Sequence, residues 1–100
     1  MAIKEIKIEL LNDKKETVVY KTNFVPARKV REGLEISALG EKGGNEIEVV
    51  DKMISFVASL FDGLTEDMIL DGIAAWDLFE TLQVTISEVL GADPKQTANV

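Results

Sequence analysis

Between Asn45 and Gly63 the chain carries a segment with helical period that is apolar around most of its circumference. Asn45 with Glu48 three residues on has the capping-box pattern, and Asp62-Gly63 supplies a left-handed terminator, so the spacing predicts a helix over 46–62. One stripe runs Ile47, Val50, Ile54, Val57, Ala58, Phe61, and a second runs Val49, Met53, Phe56, Leu60. Glu48, Asp51, Lys52, Ser55, Ser59 and Asp62 fill the one remaining line, so roughly two thirds of the cylinder has to leave water. Such a helix is either the centre of a core or a core element that also serves an interface.

What surrounds it decides between the two. The chain has 100 residues, 46% hydrophobic and 29% charged, which is one globular domain of ordinary size. Ile6, Ile8 and Leu10 alternate with Lys7 and Glu9, the period of a strand with one buried face. After the polar stretch 12–15, the β-branched run Thr17-Val18-Val19-Tyr20-Lys21-Thr22 predicts a second strand, antiparallel to the first, in a hairpin over about 3–22. Ile3 is out of phase with the rest. A two-stranded hairpin is marginal in water by itself, so its apolar face must lie on the helices that follow.

Pro26 fits the first turn of a helix over 26–39, with Ala27, Val30, Leu34, Ala38 and Leu39 toward the core and Arg28, Lys29, Arg31, Glu32 and Glu35 outward. Three glycines make 40–45 the most flexible connection. Thr65 caps a short helix over 66–71, stapled by Leu64 and Ile69 and closed by Gly72. Asp77 and Glu80 form a second capping-box pattern for a helix over 77–90 with the apolar face Leu78, Phe79, Leu82, Ile86, Val89, Leu90. The expected architecture is α+β: a single domain over 1–91, with an N-terminal antiparallel β-hairpin packed on a bundle of about four helices. A disordered tail is expected over 92–100.

The chain has no Cys and no His. Disulfides, thiolate metal sites, histidine-ligated metals and histidine general bases are therefore excluded, and with so thin an inventory no enzyme, metal or cofactor is expected. Asp62-Gly63 and Asp71-Gly72 lack the alternating ligands of a calcium loop and read as helix C-caps. Nine Lys or Arg against seven acids give +2 through Lys42, and two against eleven give −9 from Gly43 onward. That field disfavours nucleic acid, although Arg28, Lys29 and Arg31 form one basic cluster. No apolar run reaches a membrane span, and no secretion signal is expected.

The order of motifs resembles a known family. A charged amino-terminal hairpin is followed by Asn23-Phe24-Val25-Pro26-Ala27-Arg28, then by a very apolar helix ending in Phe61-Asp62-Gly63-Leu64-Thr65-Glu66-Asp67. Leu70-Asp71-Gly72 and the segment from Thr81-Leu82-Gln83-Val84 through Val89-Leu90-Gly91 complete the order. From Ile6 to Gly91 this resembles the tail assembly chaperones of long-tailed bacteriophages. The resemblance implies a non-catalytic, oligomeric protein of the host cell cytoplasm, absent from the mature virion. It would coat and solubilise the tape measure protein and help recruit tail tube subunits, the tube protein being contacted through a longer, frameshifted form of which this chain would be the short counterpart. Val49, Met53, Phe56 and Leu60 are then the expected partner-binding residues, facing tape-measure segments or a neighbouring copy. Competing readings are a structural phage component, such as a head-tail connector or tube protein, and a small nucleic-acid-binding regulator using Arg28, Lys29 and Arg31.

Overall fold

The structure, a computed structural model, describes residues 5–91. Strands β1 (Ile6–Leu11) and β2 (Thr17–Thr22) are followed by helices α1 (Arg28–Glu41), α2 (Glu46–Leu60), α3 (Glu66–Gly72) and α4 (Leu78–Val89), with a short 3-10 turn over Ala75–Asp77 leading into α4. This is the expected α+β arrangement of a hairpin on four helices. Ile3 and the tail expected over 92–100 lie outside the described residues.

The period-two pattern folds as it reads. Ile6, Ile8 and Leu10 are buried, and their cross-strand partners Thr22, Tyr20 and Val18 are half-buried on the same face. The turn is closed by two bonds: the Asn12 N–H donates to the Glu16 carbonyl, and the Lys15 N–H donates to the Asn12 carbonyl, both at 2.9 Å. The Asn12 side chain adds acceptor bonds from the Lys14 and Glu16 amides at 2.9 and 3.0 Å. Lys15 takes φ 64°, the left-handed position that three-residue hairpin loops usually give to glycine.

α2 is the hub. α1, α3 and α4 all pack on it, while β1 rests on α3 and α4. Val57, Ile54, Ile69 and Leu82 are the most deeply buried large side chains. Asn45 caps α2 as expected, its side chain accepting from the Ile47 and Glu48 amides at 2.8 and 3.4 Å. Thr65 accepts from the Met68 amide at 3.2 Å and caps α3. Gly63 is left-handed at φ 81° but does not terminate α2: the helix expected to run to Asp62 stops at Leu60, where Phe61 turns extended.

Three further local expectations are corrected. α1 starts at Arg28 and continues through Gly40 to Glu41, the left-handed residue being Gly43 at φ 76°; Pro26 precedes the helix, its carbonyl accepting from the Lys29 amide at 3.0 Å. Gly72 is no C-cap: it is the buried last residue of α3, and a Cβ there would sit 2.7 Å from the Leu11 carbonyl oxygen. Glycine at 72 serves close approach of helix to strand. Asp77 makes no capping bond: the preceding 3-10 turn leaves its backbone at φ −102°, ψ −8°, near-helical rather than the extended conformation from which an N-cap side chain reaches the first-turn amides.

Candidate partner-binding surface

The sequence places the partner surface on Val49, Met53, Phe56 and Leu60. In the structure Phe56 is 3% exposed, Met53 and Leu60 are each 9% exposed, and Val49 is half-buried against the core. The stripe is thus covered within one chain and is no leftover surface. The cover missing from the sequence argument is α1. It runs antiparallel to α2, since Lys29 near its start donates through Nζ to the Ser59 hydroxyl near the end of α2 at 2.9 Å. The same ammonium lies 5.9 Å from the Phe56 ring centroid and 2.9 Å from Glu32 Oε2. Ser59 in turn donates to the Phe56 carbonyl at 2.6 Å. An ammonium over an aromatic ring is held by the ring quadrupole while it keeps its polar partners Ser59 and Glu32.

This docking turns α1 over. Lys29, Gly33 and Ile36 face inward together with Leu39, the one of these expected there, whereas Ala27, Val30, Leu34 and Ala38, also expected in the core, are exposed. Gly33 explains the choice: a Cβ there would lie 3.1 Å from Leu90 Cδ2 and 3.8 Å from Ile86 Cγ2, so α1 meets the C-terminal turns of α4 closely along this face. The basic cluster is divided by the same rotation, with Lys29 drawn onto α2 and Arg28 and Arg31 left outside.

The contact has a consequence for α4. At 100° per residue Phe79 falls within about 20° of Ile86 around the helix, but about 10 Å nearer the N-terminus. α1 covers the Ile86 and Leu90 end of that row. Phe79, assigned to the apolar face by its spacing, is left 57% exposed, and Trp76 one turn earlier is 86% exposed, the most open large apolar side chain among the described residues. Asp77 and Glu80, both exposed, directly follow Trp76 and Phe79 respectively in the sequence.

Trp76 and Phe79 are therefore surface residues that sequence reasoning missed, as are Phe24 and Ile47, the latter expected in the first apolar stripe of α2 but 72% exposed at its first turn. One signal for Trp76 was present: it precedes the helix and belongs to none of the apolar stripes. Phe79 carried no such sign, because its spacing matches the core residues of α4. On the remaining surface, grooves of about 400 Å³ between α1 and α2 and about 750 Å³ between β1 and α4 mix apolar walls with charges such as Glu32, Lys52, Lys7 and Glu80. Among the described residues no three acidic side chains converge as a cation site, and no helix is long and apolar enough to cross a membrane.

No curated protein and no solved structure matches this chain. A family model described as phage tail chaperone protein matches residues 1–99, a span that takes in the hairpin, all four helices and the aromatic pair, and the chain belongs to that family.

Proposed function

We propose that this tail chaperone binds the tape measure protein through Trp76 and Phe79, keeping it soluble until the tail tube encloses it. The observation that carries the reading is the uncovered aromatic pair on the open end of α4. Aromatic side chains bury on the order of 150 Å² each when fully covered, so at ~25 cal/mol per Å² the two rings offer a partner at most about 7 kcal/mol before ordering costs, less what Phe79 already buries. A tape measure segment with an apolar helical stripe flanked by Lys or Arg suits the site, since Asp77 and Glu80 directly follow the two aromatic residues in the sequence. Exposed Val30, Leu34 and Ala38 on α1 provide a second helical stripe for the same class of partner.

The role is non-catalytic and belongs to the host cytoplasm during assembly, with the protein absent from the mature virion. Several copies associate along one partner, and the acidic second half keeps the assembly soluble. Recruitment of the tail tube protein belongs to a longer form of the chain. The decisive experiment is co-purification of tape measure protein with the Trp76→Ser/Phe79→Ser variant. Loss of capture with an unchanged circular dichroism spectrum is expected; full capture by the folded variant removes this surface from the role. Mass spectrometry of purified particles separates a chaperone from a structural tail component.

A further inference from the structure

The hairpin has two edges, and they differ. Asn12 and Glu16 are joined by the bond that closes the turn, so in an antiparallel ladder the pairs Leu10/Val18, Ile8/Tyr20 and Ile6/Thr22 exchange hydrogen bonds, while Lys7/Lys21, Glu9/Val19 and Leu11/Thr17 direct their backbone groups outward. On the β1 side that edge is approached by α3 and α4, with Gly72 against the Leu11 carbonyl. On the β2 side the N–H and C=O groups of Thr17, Val19 and Lys21 have no hydrogen-bond partner among the described residues. β2 packs substantially on no element except β1.

Edge strands are usually blunted by proline, bulges, shortness or several charges. β2 is six residues long, Thr17–Thr22, with regular pairing throughout, and its one charge is Lys21. We infer that the β2 edge pairs antiparallel with β2 of a second copy about a twofold axis through Val19, joining two hairpins into a four-stranded sheet. It builds on the self-association in the reading above, although its argument and its test use the free protein alone.

Three features favour a second copy as occupant. First, the edge is self-complementary. Centring on Val19 sets Val19 against its own symmetry mate and Thr17 against Lys21 of the second copy in both directions, so every outward residue of each strand gains a partner and roughly six main-chain bonds form. The same register brings half-buried Val18 opposite Tyr20 of the second copy on the core-facing side, which extends the apolar layer. Second, the hairpin is electrically neutral in a chain of net charge −7: between Glu5 and Phe24, Lys7, Lys14, Lys15 and Lys21 balance Glu5, Glu9, Asp13 and Glu16. Two acidic molecules approach with least repulsion at such an edge. Third, the two Lys21 side chains are kept apart. They stand four residues from one another along the strands, about 14 Å at 3.4 Å per residue, which exceeds the screening length of about 8 Å at physiological salt.

The test is sedimentation equilibrium combined with amide hydrogen exchange on the parent chain, on Val19→Pro and on Val19→Lys. The Val19 N–H faces away from β1, so proline there removes a donor of the dimer without breaking the hairpin ladder. Val19→Lys keeps the backbone and sets two ammonium groups opposite one another. Expected are a parent of twice the 11.0 kDa chain mass, slow exchange at the Thr17, Val19 and Lys21 amides, and association at least about tenfold weaker in both variants. If proline unfolds the chain, the lysine variant decides alone. A monomeric parent, a dimer with fast exchange at those three amides, or full dimerisation of a folded variant overturns the inference. So does protection in a monomer that disappears when residues 92–100 are deleted, since the occupant is then the chain's own tail. Protection that arises only on adding tape measure protein also overturns it. Tape-measure binding by a monomeric parent would sink this pairing and leave the aromatic site standing, whereas loss of capture in Trp76→Ser/Phe79→Ser leaves the dimer intact.

Discussion

Gly72 lies so close to Leu11 that a Cβ at position 72 would be 2.7 Å from the Leu11 carbonyl oxygen and 3.0 Å from Leu10 Cβ. Both obstacles belong to β1, one of them backbone, so relief requires helix and strand to part. Gly72→Ala is therefore expected to destabilise by about 1–3 kcal/mol, the usual cost of overpacking. Gly40→Ala makes the same chemical change inside α1, where nothing lies within 4 Å of the added Cβ. It is expected to stabilise by up to about 1 kcal/mol through helix propensity. Thermal unfolding of the two variants should move in opposite directions.

The two N-cap signals separate in the same way. Asn45→Ala removes a side chain that accepts from two first-turn amides of α2 and should cost about 1 kcal/mol. Asp77→Ala removes no capping bond, and a change within about 0.5 kcal/mol is expected. Urea denaturation midpoints compare them directly.

Lys15 holds a left-handed conformation at φ 64° in the hairpin turn, with an exposed side chain. Lys15→Gly relieves the Cβ penalty of that region, and after the entropy a glycine adds to the unfolded chain it should stabilise by about 0.5–1 kcal/mol. An unchanged or lower melting temperature would contradict the assignment of strain to this residue.

Phenylalanines at 56 and 79 sit on α2 and α4 at spacings that read alike, yet one is 3% and the other 57% exposed. Phe56→Ala should cost about 3–5 kcal/mol and broaden or abolish cooperative unfolding. Phe79→Ser should leave stability within about 0.5 kcal/mol and weaken tape-measure capture. Measuring chemical denaturation beside pull-down distinguishes a core residue from a contact residue, and a large stability loss at Phe79 would refute its surface role.

Legibility followed the range of the interactions involved. The alternation of Ile6, Ile8 and Leu10 and the caps Asn45 and Thr65 depend on a few neighbouring residues, and each has its expected place; the terminator expected at Asp62-Gly63 does not, because α2 already ends at Leu60 with Phe61 extended. α1 was ambiguous because both of its sides carry small or apolar residues: Val30, Leu34 and Ala38 on one, Gly33 and Ile36 on the other, with Leu39, counted with the first, turned inward beside Ile36. Counting apolar positions favours the first. Packing chose the second because Gly33 allows close contact with Ile86 and Leu90, and Lys29 brings its ammonium over the Phe56 ring and onto Ser59.

The sequence by itself determined the type and order of the main elements, the caps that begin α2 and α3, the excess of apolar surface on α2 and the absence of histidine and cysteine chemistry. Only the tertiary structure decided where apolar surface was left uncovered. Met53, Phe56 and Leu60 of the second stripe were enclosed and Val49 half-buried, whereas Trp76 and Phe79, like Phe24 and Ile47, remained outside. The reason is geometric: a helical pattern states which side chains share a row, whereas the length over which a neighbouring helix covers that row depends on closest approach, fixed here by Gly33 against α4.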